Sequence, residues 1–228
     1  MNAQEQILGK GMTSLRTRQR LIERLTEQGI SDVRVLEVMR DTPRHLFLDE
    51  ALSSRAYEDL ALPIGHQQTI SQPYIVAKMT QALIQDEKLA SKPLGNVLEI
   101  GTGCGYQTAI LSRFCEKVIS VERIKSLHEK AKSKLKSLKI RNIELLHDDG
   151  SRFERMTKKY DAILLAAAPL APPEYLYESL KFGGKIIMPI GNASKQILTL
   201  ITRLGQEEYK TEELEEVLFV PLLGGLVD

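Results

Sequence analysis

Between positions 99 and 149, acids and glycines stand where they could hold a small charged molecule. Glu99 lies near the end of the apolar run "NVLEI" (96–100) and is followed by Gly101, Gly103 and Gly105 in "GTGCG". Glu122 closes a second apolar run, "KVISVE", and Asp149 follows a third, "NIELLH". A strand that runs into a glycine turn and then a helix presents a helix N-terminus, the usual receiving site for nucleotide-like ligands in α/β proteins. The spacing selects among such ligands. A dinucleotide fingerprint, G-x-G-x-x-G, needs its third glycine at position 106 for close helix–strand packing, and that residue is Tyr106. No G-K-[ST] follows, so the turn is not a P-loop. A carboxylate two residues before Gly101 repels a pyrophosphate, which prefers a bare helix N-terminus. It suits a ligand carrying an ammonium group and a sulfonium, and S-adenosylmethionine (SAM) is such a ligand. Glu122 can accept from both ribose hydroxyls, although NAD sites use the same device. Asp149 can accept from an adenine amino group. The acids in this order, together with the glycine spacing, favour SAM as cofactor.

To bring these residues together, the chain must alternate strands and helices. From Asn96 onward it does: "NVLEI", "KVISVE", "NIELLH", "DAILLAAA" and "GGKIIMPI" read as strands, and "YQTAILSRFC", "IKSLHEKAKSKLKSL" and "PEYLYESL" as helices. The apolar runs "QILTLITRL" and "EEVLFVPLL" read as an antiparallel pair. Before Asn96, residues 11–28 carry a helical stripe of Leu15, Leu21, Ile22 and Leu25, stopped by Gly29. Ser31 is placed to cap a second helix through Met39, which ends near Pro43. "PRHLFLDE" and "LALPIGHQQTISQP" read as irregular structure, and "PYIVAKMTQALI" as a helix with Pro73 in its first turn. The expected fold is α/β: a Rossmann-like SAM-dependent methyltransferase fold, with a mostly parallel, doubly wound sheet, a C-terminal antiparallel pair and an N-terminal helical extension. Residues 1–92 form the extension and 93–228 the SAM-binding core, together one compact domain.

Composition narrows the function classes. The 228 residues are 43% hydrophobic and 27% charged, with a net charge of +1, so no global pull toward nucleic acid or membrane is expected. The N-terminus has no apolar run of the signal-peptide kind, and "AILLAAAPLAPP" is too short to span a bilayer. Two cysteines, Cys104 and Cys115, make no disulfide framework, and a reduced, cytoplasmic protein is expected. His45, His66, His128 and His147 lack ligand spacing with one another or with the cysteines, so no metal site is expected. Cys104 lies inside the glycine loop, but no histidine is paired to it in sequence, and its small size is the better reason for its presence. The basic stretch from Arg123 to Arg141 reads as an amphipathic helix with Ile124, Leu127, Ala131, Leu135 and Leu138 inward. Its alternative is an RNA-binding surface, for which an aromatic content of 5% without tryptophan supplies few stacking platforms.

Beyond the glycine loop the chain resembles the protein-L-isoaspartate O-methyltransferase family. The resemblance runs through "TPRHLFLDE" (42–50), "LALPIGHQQTISQPYIVAKMT" (60–80), "VLEIGTGCGYQTAILS" (97–112), "VISVERI" (118–124), "HDDG" (147–150), "YDAILLAAAP" (160–169) and "FVPLLGG" (219–225). The glycine motif alone indicates a methyltransferase, and "QTISQP" is the specific element. The resemblance implies methyl transfer from SAM to the α-carboxylate of L-isoaspartyl residues in damaged proteins, followed by closure to a succinimide. It places the catalytic serine at Ser71. The candidate cofactor-binding set is Thr69, Ile70, Glu99, Gly101, Thr102, Gly103, Gly105, Glu122, Arg123, Asp149 and Gly150. The expected partners are isoaspartyl proteins and peptides, with neither nucleic acid nor membrane, and the expected state is a monomer. A second reading of Thr69 and Ser71 is that they cap the helix beginning near Pro73. Among the histidines, His66 stands inside the specific block.

The chain departs from the family pattern at Gln67 and Ala166, where glycine and often threonine are usual, and at Ser151, where threonine or tryptophan is common. These departures bear on substrate range and rate. The alternatives on sequence are a SAM-dependent RNA methyltransferase and a SAM-binding homologue without catalysis.

Overall fold

The computed structural model describes residues 7–85, 93–152 and 159–228. The first helix, α1 (Leu15–Glu27), buries Leu21 and Leu25, and Gly29 follows it at φ +95°, a conformation glycine adopts without strain. Helix α2 (Val33–Asp41) is capped by Asp32, whose carboxylate accepts from the Arg34 and Val35 N–H groups. The expected cap, Ser31, instead donates its backbone N–H to Gln81 Oε1 (2.9 Å), so the cap lies one residue later.

The segment expected to be irregular contains a hairpin, β1 (Leu62–Gly65) with β2 (Gln68–Ile70). Its two-residue turn, His66–Gln67, has φ +50° and +57°. Positive φ at both positions is what a tight hairpin turn of this hand requires, and Asn-Gly is its usual signature. Without that dipeptide no local signal marks the hairpin. Gln67 thus sits in a conformation costing a side-chain-bearing residue about 1 kcal/mol. His66 is held by its ring, Nε2 lying 2.7 Å from Ser126 Oγ. Helix α3 (Pro73–Ile84) follows, with its proline in the first turn as expected.

The core alternates as its periodicity predicts: β3 (Leu94–Ile100), α4 (Tyr106–Leu111), β4 (Cys115–Glu122), α5 (Lys125–Ser137), β5 (Ile143–His147), β6 (Tyr160–Leu165), α6 (Glu174–Glu178), β7 (Leu180–Gly191), β8 (Gln196–Arg203) and β9 (Tyr209–Val217). One seven-stranded sheet has the order β5-β4-β3-β6-β7-β8-β9. The strands from β5 to β7 run parallel, and β8 and β9 add antiparallel. Along β3 and β6, alternate side chains enter opposite apolar layers. Val97, Ala162 and Leu164 face a core shared with α1–α5, while Leu98, Ile100, Ile163 and Leu165 face α6. The first core joins residues of the extension, such as Leu25, Met39 and Leu83, to those of the sheet. The expected boundary after residue 92 falls at a stretch, 86–92, outside the described residues.

The final expected strand is displaced. β9 begins in the polar stretch at Tyr209 and ends at Val217, so most of "LFVPLL" leaves the sheet. Residues 219–222 form a strap instead. Gln196 both donates to the Phe219 carbonyl and accepts from its N–H, while Ala168 bonds the Val220 carbonyl and the Leu222 N–H. The exit follows from the partner strand: Val217 pairs with Gln196, the first residue of β8, so the ladder has nothing further to bond and the chain turns to Ala168 instead.

Candidate active site

The order in which strands are added to the sheet reverses at β3: β4 and β5 lie on one side of it and β6 on the other. The crevice at the carboxyl ends of strands flanking such a reversal is where open α/β sheets bind ligands. A cavity of about 750 Å³ opens there. Its floor is made by residues leaving four strands: Ile100–Cys104, Val121–Ile124, Gly150 and Ala166–Ala167. Its other walls come from Gln68–Val76 on the hairpin and α3, and from Glu215–Leu223 on the end of β9 and the strap.

The glycine loop is held by two carboxylates in different ways. Glu122 is buried and accepts from the Gly103 N–H through one oxygen (2.8 Å) and from the Ile124 N–H through the other (2.9 Å). It lines the cavity, and each carboxylate oxygen can accept further bonds. Glu99 is fully buried and is not among the cavity walls. From β3 its Oε2 accepts from Thr108 Oγ1 on α4 (2.5 Å) and from Ser120 Oγ on β4 (2.6 Å). The Thr102 hydroxyl lies 2.6 Å from that of Ser120, which joins the loop to this network. The expected ammonium-facing acid is therefore a support beneath the loop, captured by hydroxyls that sequence spacing does not reveal. Its Oε1 has no hydrogen-bond partner among the described residues.

Gly105 shows why Tyr106 can replace the third fingerprint glycine. It caps α4 at φ +87°, and a Cβ there would come within 3.0 Å of Leu135 on α5. Close packing is thus achieved one residue early. Tyr106, 1% exposed, packs against the edge of Phe47 (5.4 Å between ring centroids) and beneath the Arg44 guanidinium (5.0 Å). This ties the loop's helix to "TPRHLF".

Burial pushes the Glu99 carboxyl up to about 7, with the Ser120 and Thr108 bonds working against that rise and the Glu122 charge adding to it. Its ordinary value is 4.5. Between the two values the unfolded chain has released a proton that the folded chain keeps, so this group's contribution to stability falls as pH rises. Glu99→Gln keeps an acceptor for the hydroxyls and carries no charge. Thermal melts from pH 4.5 to 8 should show the wild type losing stability relative to the variant, by on the order of 2–3 kcal/mol. Parallel pH profiles would refute the assignment.

Asp149 and Gly105 also lie outside the cavity walls. Asp149 accepts from the Ser151 N–H (2.8 Å) and hydroxyl (2.7 Å), and from the Gly225 N–H (2.6 Å). Burial opposes its charge, but the bonds from Gly225 and Ser151 outweigh burial and hold its pKa below the usual value. Arg123, which does line the cavity, donates to the carbonyls of Gly225 (2.8 Å) and Gly224 (3.3 Å). These two expected ligand contacts thus also fasten the chain's last turn beside the site.

Thr69, Ile70 and Ser71 line the opposite wall with Gln72 and Tyr74. The capping reading of Thr69 and Ser71 does not hold. The N-cap of α3 is Gln72, with no side-chain cap bond. Asp59 does that work from a distance, accepting from the Tyr74 N–H (2.9 Å) and from the side chains of Gln72 (3.1 Å) and Gln28 (3.0 Å). Ser71 is half-buried, faces the cavity and makes no hydrogen bond to the described residues. Ala166 also faces it. His66 lies outside the walls on its bond to Ser126. Cys104 lines the cavity, but burial pushes its thiol up to about 11, which leaves almost no thiolate at neutral pH. Asp59 and Tyr74 had no assigned role in the sequence reading, which took the strap residues as part of a strand. The only signals for them were the apolar "FVPLL" and its proline.

A family model described as Protein-L-isoaspartate(D-aspartate) O-methyltransferase (PCMT) matches residues 16–226. The protein-L-isoaspartate O-methyltransferase of Saccharophagus degradans is 53% identical over 219 residues, covering 96% of each chain. That of Pseudomonas aeruginosa is 51% identical over 214 residues, 94% of this chain and 99% of the relative. Among solved structures, a Plasmodium falciparum PCMT in complex with S-adenosyl-L-homocysteine superposes with a TM-score of 0.76 at 27% identity, covering 90% of this chain and 98% of the other. A second structure, a protein-L-isoaspartate O-methyltransferase, gives a TM-score of 0.79 at 29% identity, covering 92% and 67%.

Proposed function

Because the chain belongs to the protein-L-isoaspartate(D-aspartate) O-methyltransferase family, we propose that the cavity between the glycine loop and the Thr69–Gln72 wall is where it carries out that reaction. The protein is a SAM-dependent methyltransferase that esterifies the α-carboxylate of L-isoaspartyl residues in damaged proteins. The ester then closes to a succinimide as the neighbouring backbone nitrogen displaces methanol.

The residues fit the cofactor. The cavity volume lies within the range of small-molecule sites, and Glu122 offers acceptors at the end of β4. Gly101, Thr102, Gly103, Glu122, Arg123 and Gly150 would hold it on the sheet side, and Thr69 and Ile70 on the other. Glu99, Gly105 and Asp149 shape those contacts from behind. When bound, SAM supplies an electrophilic methyl group on a sulfonium.

The chain's own contribution is placement. An isoaspartyl carboxylate is ionised at neutral pH, so no residue has to remove a proton. Ser71 donates a hydrogen bond that aims the carboxylate while leaving its charge in place. The strap and hairpin exclude water from the two partners, and holding them in line can lower the barrier by several kcal/mol. The single observation that carries this reading is the uncommitted Ser71 hydroxyl facing the glycine loop across the cavity. We further infer a monomer working in the cytoplasm on varied protein chains, without nucleic acid or membrane. A near-neutral charge and two unpaired cysteines support that setting.

Labelled SAM and a matched pair of peptides test the function. The isoaspartyl peptide should be esterified and its aspartyl isomer largely ignored, because the two differ in where the carboxylate sits relative to the backbone. Equal labelling of the pair would defeat the reading.

A further inference from the structure

Asp59 does more than cap α3. It is not itself a cavity wall, but the three groups its carboxylate holds all belong to wall residues: Gln28 just past α1, and Gln72 and Tyr74 at the start of α3. Its Oδ1 accepts from the Tyr74 N–H, and its Oδ2 accepts from both side-chain amides, Gln28 Nε2 at 3.0 Å and Gln72 Nε2 at 3.1 Å. A carboxylate accepts and does not donate, so the NH2 end of each glutamine is turned to Asp59. Because both meet one oxygen, the two amides stand side by side. Each keeps one further N–H and its carbonyl oxygen, which makes no hydrogen bond to the described residues. Neither the fold nor the methyl transfer uses these groups, and Gln72 directly follows Ser71 in the chain.

Two uncharged amides in a fixed orientation, with free carbonyl oxygens, match a peptide backbone. Every residue but proline carries a backbone N–H donor, so recognition of that group admits varied sequences. We propose that Gln28 and Gln72 form a backbone-reading subsite. Their Oε1 atoms accept from N–H groups of the isoaspartyl chain, beside the carboxylate held at Ser71, and Asp59 is the positioning residue that aims them. The proposal rests on the isoaspartyl reading and names the part of the substrate, apart from its carboxylate, that this wall holds.

Peptides in which an ester oxygen replaces one backbone N–H test it. One isoaspartyl peptide is made in an all-amide form and in single-ester forms, at the isoaspartyl residue, at the one before it and at the second one after it. The nitrogen that closes the succinimide is left intact. In the wild type at least one ester should lower kcat/KM by about fivefold, the effect of one neutral hydrogen bond, with the loss mostly in KM. Gln72→Ala or Gln28→Ala should lower kcat/KM for the all-amide peptide by a similar factor and bring the amide-to-ester ratio at that same position close to one. A glutamine that only supported the wall would slow both forms alike and leave the ratio unchanged. Gln28 is exposed, so its variant keeps the comparison informative if Gln72→Ala folds poorly. Asp59→Asn can still accept from the Tyr74 N–H through its oxygen but no longer obliges both amides to donate. Its ratio should fall while its melting temperature stays near wild type, and an unchanged ratio removes Asp59 from the subsite. Wild-type turnover that ignores every ester, or a ratio that both alanine variants preserve, overturns the proposal and leaves the isoaspartyl reading standing. No turnover of the all-amide peptide overturns that reading and the subsite with it.

Discussion

Ser71→Ala should lower turnover of an isoaspartyl peptide by about 10²–10³-fold, the usual effect of removing one positioned hydrogen-bond donor from a reacting oxygen. Its melting temperature and SAM affinity should stay near wild type. The structure makes that separation sharp. Capping of α3 falls to Asp59, and the Ser71 hydroxyl bonds no described residue, so alanine removes nothing the fold uses. A serine that capped would instead cost about 0.5–2 kcal/mol of stability. Ser71→Thr keeps the hydroxyl but adds a methyl group to a wall only a few residues wide, and should be stable and slow. Rate, melting temperature and SAM affinity measured on one preparation decide the matter. A wild-type rate in folded Ser71→Ala would remove the residue from the mechanism and make Thr69 the next candidate.

Glu122→Ala should weaken SAM binding by roughly ten- to a hundredfold, because charge-assisted hydrogen bonds to a ligand contribute about 1.5–3 kcal/mol. The substitution also frees the Gly103 and Ile124 N–H groups, which are positioned by the same carboxylate. Glu122→Gln separates the two effects. One amide oxygen can still accept from Gly103 or from Ile124, so loop order should be partly kept while the charge is gone. Calorimetric titration should rank wild type above Glu122→Gln above Glu122→Ala. Unchanged affinity in both variants would move the ribose contact elsewhere.

The α/β core was legible because its strands are apolar runs ending at glycines or acids, and its helices keep a period of 3.6. What escaped were contacts between residues far apart in sequence. Asp59 caps a helix starting at residue 73, and Glu99 is claimed by Thr108 and Ser120. No local pattern encodes those partners. The hairpin escaped for a different reason: its turn uses His66 and Gln67 against their conformational preference, and tertiary contacts such as the Ser126 bond hold it. The cavity's third wall was hidden because an apolar run after a polar stretch reads as strand, whereas β8 starts at Gln196, whose side chain pairs with Phe219 outside the sheet.

The strap also sets a sequence in time. A chain leaves the ribosome from its N-terminus, and domains acquire structure in that order. The glycine loop, Ser71 and the parallel strands have all emerged while residues 217–225 are still in the exit tunnel. Yet those late residues supply one wall of the cavity and are the ones fastened to Ala168, Gln196, Arg123 and Asp149. A nascent chain can therefore pair most of its sheet before it can close the site. Competence for methyl transfer waits until residues 217–225 have emerged.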